Sequence, residues 1–256
     1  MSISSAVIKL AAPLPKIEQY EKYLFIGPHP DDIEIGAGAT AAKLAAMGKE
    51  VTFLICLDGR FGLEFAPEGT TPEKLARIRA EECRKSAEVL GVKHVRFLNL
   101  WDGGLYSDAD LTDAMAKVIG EVKPEVIFAP DPCVTSECHT DHLAVGEAAR
   151  RLAFFAPFKE IMETHGAGTA PVEAIAYYMT AKPTRFVGTA KYFDIQLQSI
   201  LCHESQFRAD SEAFKSVVTY LKLRAFDYGL RSFKGKAEGF RVLGRTHMHC
   251  LPEAGR

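Results

Sequence analysis

The fold of this chain is decided by residues 22–57, KYLFIGPHPDDIEIGAGATAAKLAAMGKEVTFLICL. The apolar run at residues 23–27 has the length of a buried strand, and apolar residues at helical spacing predict a helix over residues 36–49. A second apolar run at residues 51–56 predicts the next strand. This order of strand, helix and strand predicts a parallel pair joined by a right-handed crossover.

The same alternation continues to about residue 150. Thr71 and Pro72 are typical of an N-cap and of the first residue of a helix, and Gly91 is typical of its end. The other predicted elements in this part are strands at 94–98 and 125–129 and helices at 111–122 and from near 140. Alternating strands and helices predict an α/β, Rossmann-like three-layer fold, with a mostly parallel sheet covered by helices on both faces.

We expect residues 1–256 to form one domain, because this length suits one α/β core and no repeat or low-complexity linker interrupts it. Residues 1–21 show little periodicity and are expected to be a lead-in segment. Residues 170–256 are expected to be the variable C-terminal part of the same domain, where the alternation weakens. The elements predicted there are strands at 174–179 and near 240–243, and helices near 198–207 and 211–223.

The composition is that of an ordinary globular protein, with 47% hydrophobic and 25% charged residues. The 31 Lys and Arg residues against 33 Asp and Glu residues leave no net field to attract nucleic acid or an anionic membrane. No apolar run is long enough to cross a bilayer, and the N-terminus lacks a signal pattern, so we expect a cytoplasmic protein. The six cysteines lack framework spacing and are expected to be reduced thiols.

Two polar segments each follow a predicted strand. Pro28-His29-Pro30-Asp31-Asp32 follows the first strand, and His139-Thr140-Asp141-His142 follows the fourth and begins a helix. In open parallel sheets, ligands bind at the edge formed by the carboxyl ends of the strands. Both segments are therefore expected to lie at the ligand-binding edge.

The residue types in these segments are those of a catalytic metal site. Such a zinc site takes about three ligands from His and carboxylate side chains and leaves a fourth position for water. His29, Asp32 and His142 would supply that set. The neighbouring carboxylates of Asp31 and Asp32 would repel each other without a cation, whereas beside a metal one of them ligates and the other is free to act as a base.

The two segments resemble the hallmarks, His-Pro-Asp-Asp and His-x-Asp-His, of the LmbE-like or PIG-L family of de-N-acetylases, which act on N-acetylglucosamine derivatives. Two weaker signatures of the same family are matched by Arg79-Ala80-Glu81-Glu82 and by residues 100–105, LWDGGL. The resemblance covers residues 22 to 150, and the C-terminal part matches only loosely through residues 203–206 and 237–240.

The resemblance implies a hydrolase that removes the N-acetyl group from an N-acetylglucosamine-type amino sugar or its conjugate, releasing acetate and a free amine. Carried over residue by residue, it implies zinc ligands His29, Asp32 and His142, a general base Asp31, a protonated His139 that stabilises the developing oxyanion, and sugar-binding residues Arg79 and Asp102. Another divalent metal in place of Zn²⁺ is left open. An exposed helix charge at Arg79 and a turn residue at Asp102 are the alternative interpretations.

The strongest alternative function is a nucleotide-binding oxidoreductase, because Gly36-Ala37-Gly38 begins a G-x-G-x-x-A pattern with Asp58 about twenty residues later. In that fingerprint the first glycine ends the strand, whereas here residues 28–35 intervene. We therefore expect the glycines to serve close backbone packing.

Three other functions are weaker. A non-haem iron site would use His29, Asp31 and a distant histidine, but the alternation of strands and helices does not suit the all-β scaffolds on which such sites usually occur. A structural zinc site built from Cys133, Cys138, His139 and His142 would not explain the His-Pro-Asp-Asp motif at residues 29–32. A non-catalytic sugar-binding module would not need the second carboxylate.

The sequence does not identify the group attached to the amino sugar or the native metal. It also leaves self-association into a homo-oligomer open, for which an exposed apolar patch would be the sign. Five histidines have no predicted role, namely His94, His165, His203, His247 and His249.

Overall fold

The computed structural model describes residues 11–63, 66, 68–249 and 251. The strands within them are β1 Lys22–Gly27, β2 Glu50–Leu57, β3 His94–Leu100, β4 Val126–Pro130, β5 Ala174–Tyr178, β6 Arg185–Gly188 and β7 Ala237–Gly244. The helices within them are α1 Asp32–Ala46, α2 Pro72–Val89, α3 Asp108–Val122, α4 Thr140–Phe155, α5 Lys159–Thr164, α6 Phe193–Ile200 and α7 Glu212–Ser232.

The described strands form one sheet in the order β3-β2-β1-β4-β5-β7-β6. Strands β1 to β5 are parallel, and β7 is antiparallel to both β5 and β6. The predicted α/β fold with a mostly parallel sheet is thus confirmed. The strand order reverses between β1 and β4, which is the point where open α/β sheets bind their ligands.

Both faces of the sheet are buried, which explains the continuous apolar runs of its strands. Leu24 and Ile26 of β1 face the core under α3 and α4. Tyr23 and Phe25, which alternate with them, face the core under α1 and α2. The helices therefore cover the sheet on both sides, as the sequence predicts.

Helix α1 begins at Asp32, four residues earlier than the predicted start at Gly36. The glycines at 36 and 38 accordingly lie inside the helix. A Cβ atom at Gly36 would lie 2.3 Å from the ring of Tyr178 on β5, so the glycine allows the helix to pack directly on the sheet. This is the packing role expected for the Gly36-Ala37-Gly38 segment, and it differs from a phosphate-binding loop.

The C-terminal part departs most from the prediction. The helix expected near residues 198–207 ends at Ile200, and turns follow it because Ser205 hydrogen-bonds Glu82 of α2 through both its N–H and its hydroxyl, at 2.8 and 2.6 Å. Strand β6 and helix α5 were not predicted. A four-residue strand and a six-residue helix carry too little periodicity to be recognised.

The described cysteines are unpaired, as predicted, and they are Cys56, Cys83, Cys133, Cys138 and Cys202. Cys250 lies outside the described residues. Among the described helices, none combines the length and the apolar character that crossing a bilayer requires.

Candidate metal centre

The two polar segments meet at the sheet edge between β1 and β4. The loop after β1 carries His29 into α1, and the loop after β4 ends at His139, the N-cap position of α4. The ring centroid of His29 lies 4.9 Å from that of His139 and 5.5 Å from that of His142. The predicted meeting of the two loops is therefore observed.

The side chains at this point fit one divalent cation. Ring nitrogens of His29, His139 and His142 lie within 4.8 Å of one another. Asp32 Oδ2 lies 3.2 Å from His29 Nδ1, and Asp32 Oδ1 lies 3.5 Å from His142 Nε2. Two ligands of one tetrahedral metal with bonds of about 2.0–2.1 Å lie about 3.4 Å apart. The geometry thus suits the predicted set of His29, Asp32 and His142, and it adds His139 as a neighbouring donor.

The other ring nitrogen of His29 is held by a buried carboxylate. Nε2 lies 3.1 Å from Asp141 Oδ2, and Asp141 is fully buried. Asp141 also accepts hydrogen bonds from the N–H groups of Gly103 and Gly104, at 2.8 and 2.9 Å, and from the Tyr106 hydroxyl at 3.1 Å. Carboxylates that hold the outer nitrogen of an imidazole fix its orientation toward a metal. The segment after β3 therefore supports the site through Asp141.

The electrostatics of the site favour a positive charge at its centre. Burial opposes charge on His29, but the hydrogen bonds to Asp141 and Asp32 raise its pKa to about 10. Burial raises the pKa of Asp32 and of Asp141, but the hydrogen bonds to His29 outweigh it. The pKa of each carboxyl group therefore lies below its ordinary value. Without a metal, a proton on His29 supplies the positive charge, and this proton has to leave when a metal binds.

Asp31 occupies a strained position beside the site. It is the N-cap residue of α1 with φ 118°, a left-handed conformation that residues other than glycine rarely adopt. Burial raises the pKa of Asp31 to about 6, although the nearby guanidinium of Arg79 acts in the opposite direction. A carboxylate with a raised pKa near its working pH suits the predicted role of Asp31 as a general base.

Arg79 lies beneath this strained loop. Its Nη2 donates to Asp31 Oδ2 at 3.0 Å and to the Pro30 carbonyl at 2.7 Å, and its Nη1 donates to the Gly59 carbonyl at 3.0 Å. Because Arg79 is only 4% exposed, the alternative interpretation as an exposed helix charge is wrong. Its contacts fix Asp31, and the predicted contact with a sugar stays a prediction.

Asp102, the other predicted sugar-binding residue, is also buried. Its Oδ2 accepts the Phe61 N–H at 3.3 Å, and its Oδ1 has no hydrogen-bond partner within the described part of the chain. A buried carboxylate oxygen without a partner is costly, so it is suited to receiving a donor from a ligand. The predicted sugar contact of Asp102 is consistent with this position and is left as a prediction.

His139 stacks on His142, with ring centroids 4.4 Å apart and planes within 4° of parallel. Burial and the neighbouring imidazoles of His142 and His29 lower the pKa of His139. A lowered pKa favours a neutral ring near neutral pH, whereas the family resemblance implies a protonated one, and the role of His139 at the oxyanion stays a prediction. A neutral ring still donates one N–H to a developing oxyanion.

A cavity of about 70 Å³ opens beside these residues, and it is lined by Pro28, Asp32, Ile35, Pro130, Asp131, Val134, Glu137, His142, Tyr178 and Met179. Sequence reasoning missed the roles of three residues here. Asp141 stands inside the quoted His-x-Asp-His motif, which is a usable signal. Asp131 and Glu137 lie in an irregular loop, where no periodicity marks them.

Asp131 ties the loop after β4 to the C-terminal strand. Arg241 of β7 donates from Nε and Nη2 to the two carboxylate oxygens at 2.8 and 2.5 Å, and both residues are buried. Asp131 Oδ1 also accepts the Cys133 N–H at 3.0 Å. The antiparallel strand thus holds the loop that leads to His139.

Comparison with known proteins agrees with this geometry. Residues 24–153, about half of the chain, match the family model described as PIG-L, GlcNAc-PI de-N-acetylase. A diacetylchitobiose deacetylase of Thermococcus kodakarensis is 32% identical over 237 residues, covering 91% of this chain and 87% of that protein. The chain belongs to the PIG-L family. This confirms the resemblance seen in the two polar segments.

Two further relatives show how far this PIG-L chain is similar to known members. The structure of an N,N'-diacetylchitobiose deacetylase from Pyrococcus horikoshii superposes with a TM-score of 0.87 at 31% identity, covering 98% of this chain and 97% of that one. A 1D-myo-inositol 2-acetamido-2-deoxy-alpha-D-glucopyranoside deacetylase of Kineococcus radiotolerans is 31% identical over 209 residues, covering 70% of this chain and 57% of that protein. The similarity to the Pyrococcus horikoshii deacetylase therefore extends well beyond residues 24–153, the part of the chain that matches the family model.

Two alternative metal sites do not suit this PIG-L chain. Cys133 and Cys138 are exposed, and neither belongs to the group of donors found among the described residues, which argues against a structural zinc site. The non-haem iron alternative pairs His29 with Asp31. The carboxylate close to His29 Nδ1 is that of Asp32, whereas Asp31 contacts Arg79.

Proposed function

We propose that this PIG-L protein is a metal-dependent hydrolase that removes the N-acetyl group of an N-acetylglucosamine-type amino sugar or its conjugate. The observation that carries the proposal is the group of ring nitrogens of His29, His139 and His142 within 4.8 Å of one another, with Asp32 in contact with two of these rings. The names of the relatives, which are amino-sugar deacetylases, supply the substrate class.

In this proposal Zn²⁺ is the metal and His29, Asp32 and His142 hold it, because imidazole and carboxylate are its usual ligands in catalytic sites. When bound, the ion would supply Lewis acidity and would lower the pKa of a water to near 7. Asp31 removes the proton of the attacking water and delivers it to the departing nitrogen, since an unprotonated amine is a poor leaving group. His139 donates an N–H to the carbonyl oxygen as that oxygen gains negative charge.

A small cavity beside the site offers room for the group that is removed. Its volume is about 70 Å³, and Asp32 and His142 line it together with the apolar side chains of Pro28, Ile35 and Val134. An acetyl methyl group suits this largely apolar lining.

Release of acetate tests the proposed function. We expect the purified protein to liberate acetate from N-acetylglucosamine, from its disaccharide or from an inositol-linked conjugate. A chelator should abolish this release and added zinc should restore it. Acetate release that persists after complete removal of metal would reject the metal-dependent mechanism. The absence of acetate release from all of these substrates would reject the proposed deacetylase activity.

We further propose that this protein self-associates through α7. The inner face of this helix packs Leu221 and Ala225 against the protein. Its outer face also carries a stripe of large apolar side chains, Leu223, Phe226 and Leu230, which are 67%, 67% and 64% exposed, and the C-cap residue Phe233 just beyond the helix is 95% exposed. The outer face of a surface helix is ordinarily polar. This outer stripe therefore supports a partner surface.

The spacing of the outer stripe supports a second copy of this chain as the partner. Leu223, Phe226 and Leu230 are three and four residues apart, so they lie on one face of the helix. An antiparallel copy would bring Leu223 against Leu230 of the partner subunit, with Phe226 near the two-fold axis. Such self-complementarity is what a two-fold interface requires.

We expect the wild-type protein to sediment as a dimer or larger assembly at micromolar concentration, and Phe226→Glu to sediment as a monomer. The reason is that a buried carboxylate without a partner is costly in an apolar interface. Val89→Glu, at a 39% exposed position on α2, is the control and should keep the wild-type assembly. A monomeric wild-type protein in analytical ultracentrifugation would refute the self-association.

A further inference from the structure

Glu137 contacts both histidines at the start of α4. Its Oε2 lies 3.1 Å from His142 Nδ1, and its Oε1 accepts the backbone N–H of His139 at 2.8 Å. The side chain is 31% exposed and lines the cavity of the site. The Glu137 carboxylate, in the loop between β4 and α4, therefore contacts both His139 and His142.

This contact determines which nitrogen of His142 carries the proton. A carboxylate only accepts hydrogen bonds, so the Nδ1 that faces Glu137 has to be the donor. In the neutral ring Nε2 then keeps its lone pair. Nε2 is also the nitrogen that lies 3.5 Å from Asp32 Oδ1, on the side of the candidate metal position.

We propose that Glu137 is a positioning residue that fixes the tautomer and the orientation of His142 and thereby the metal affinity of the site. The inference rests on the proposed function in one respect, namely that His142 binds the metal. Carboxylates that hold the outer nitrogen of a ligand histidine raise its basicity, and their loss typically weakens metal binding 10- to 100-fold.

Glu137 is the counterpart of Asp141, which holds the outer nitrogen of His29. Asp141 is fully buried and receives backbone N–H bonds from Gly103 and Gly104, so its replacement would disturb a second loop. Glu137 is partly exposed, and among the described residues its side chain bonds His139 and His142 at the start of α4. Variants at Glu137 are therefore expected to fold. They report the effect of Glu137 on His142, the proposed metal ligand, without disturbing a second loop.

The test is the Zn²⁺ dissociation constant, measured by competition with a chelating dye and without any substrate. We expect Glu137→Ala to bind Zn²⁺ about 10- to 100-fold more weakly than the wild type. Glu137→Gln should lie between them, because its amide oxygen still accepts from Nδ1. Glu147→Ala is the matched control, since Glu147 lies on α4, the helix that carries His142, and pairs with Arg150.

A second readout separates tautomer control from a loop effect. Ring ¹⁵N shifts of His142 in the metal-free protein at alkaline pH should show the proton on Nδ1 in the wild type and a mixture of tautomers in Glu137→Ala. Unchanged Zn²⁺ affinity in Glu137→Ala, or a wild-type ring protonated on Nε2, would overturn the assignment. A wild type that binds no metal would instead reject the proposed function, while the ¹⁵N shifts would still test Glu137.

Discussion

Replacement of Asp31 by asparagine is expected to leave metal binding intact and to lower kcat by roughly 10²- to 10⁴-fold, the usual contribution of a general base. The amide cannot take the proton of the attacking water. It still offers an oxygen to Arg79, and asparagine tolerates the positive φ of 118° at this position. The measurement combines metal content of the purified variant with initial rates of acetate release.

His142→Ala is the companion to this variant and is expected to lose the metal, because it removes a proposed ligand. Cys138→Ser, which alters an exposed thiol of the same loop, serves as the control and should keep the wild-type metal content. Equal loss of metal in Asp31→Asn and His142→Ala would show that both residues are ligands. The division into base and ligand would then be wrong.

Replacement of Arg79 by methionine is expected to lower the free energy of unfolding by roughly 3–5 kcal/mol, the cost of leaving one partner of a buried ion pair uncompensated. The guanidinium is the buried counter-charge of Asp31 and also holds the carbonyls of Pro30 and Gly59. Without it the strained loop before α1 loses its anchor. Urea unfolding of the metal-free protein measures the change.

Arg84→Met provides the matched control for this prediction. Arg84 lies on the same helix, but it is half exposed, pairs with Glu81 at the surface and lies over the Phe97 ring. Exposed pairs of this kind contribute about 0–1 kcal/mol. A loss of stability in Arg79→Met as small as that in Arg84→Met would show that Arg79 does not hold the loop, and a direct role with the substrate would become the better explanation.

The central part of the sheet was predictable because β1, β2 and β4 are buried on both faces. Their apolar runs are short and continuous, a helix separates each strand from the next, and this pattern is compatible with few topologies. The sequence also placed His29 and His142 at the same edge, since parallel strands bring their carboxyl ends together. The antiparallel pairing of β7 was not predicted, because register between distant strands leaves no local signal.

The family was determined by the sequence itself, since His-Pro-Asp-Asp and His-x-Asp-His stand as contiguous motifs, and the same motifs predict the metal ligands and the base. Only the tertiary structure decided what holds these residues in place. Asp141 on His29, Glu137 on His142 and Arg79 on Asp31 are contacts set by atomic distances of about 3 Å. A side chain's hydrogen-bond partner depends on how helices and loops pack in three dimensions, and linear spacing does not specify it.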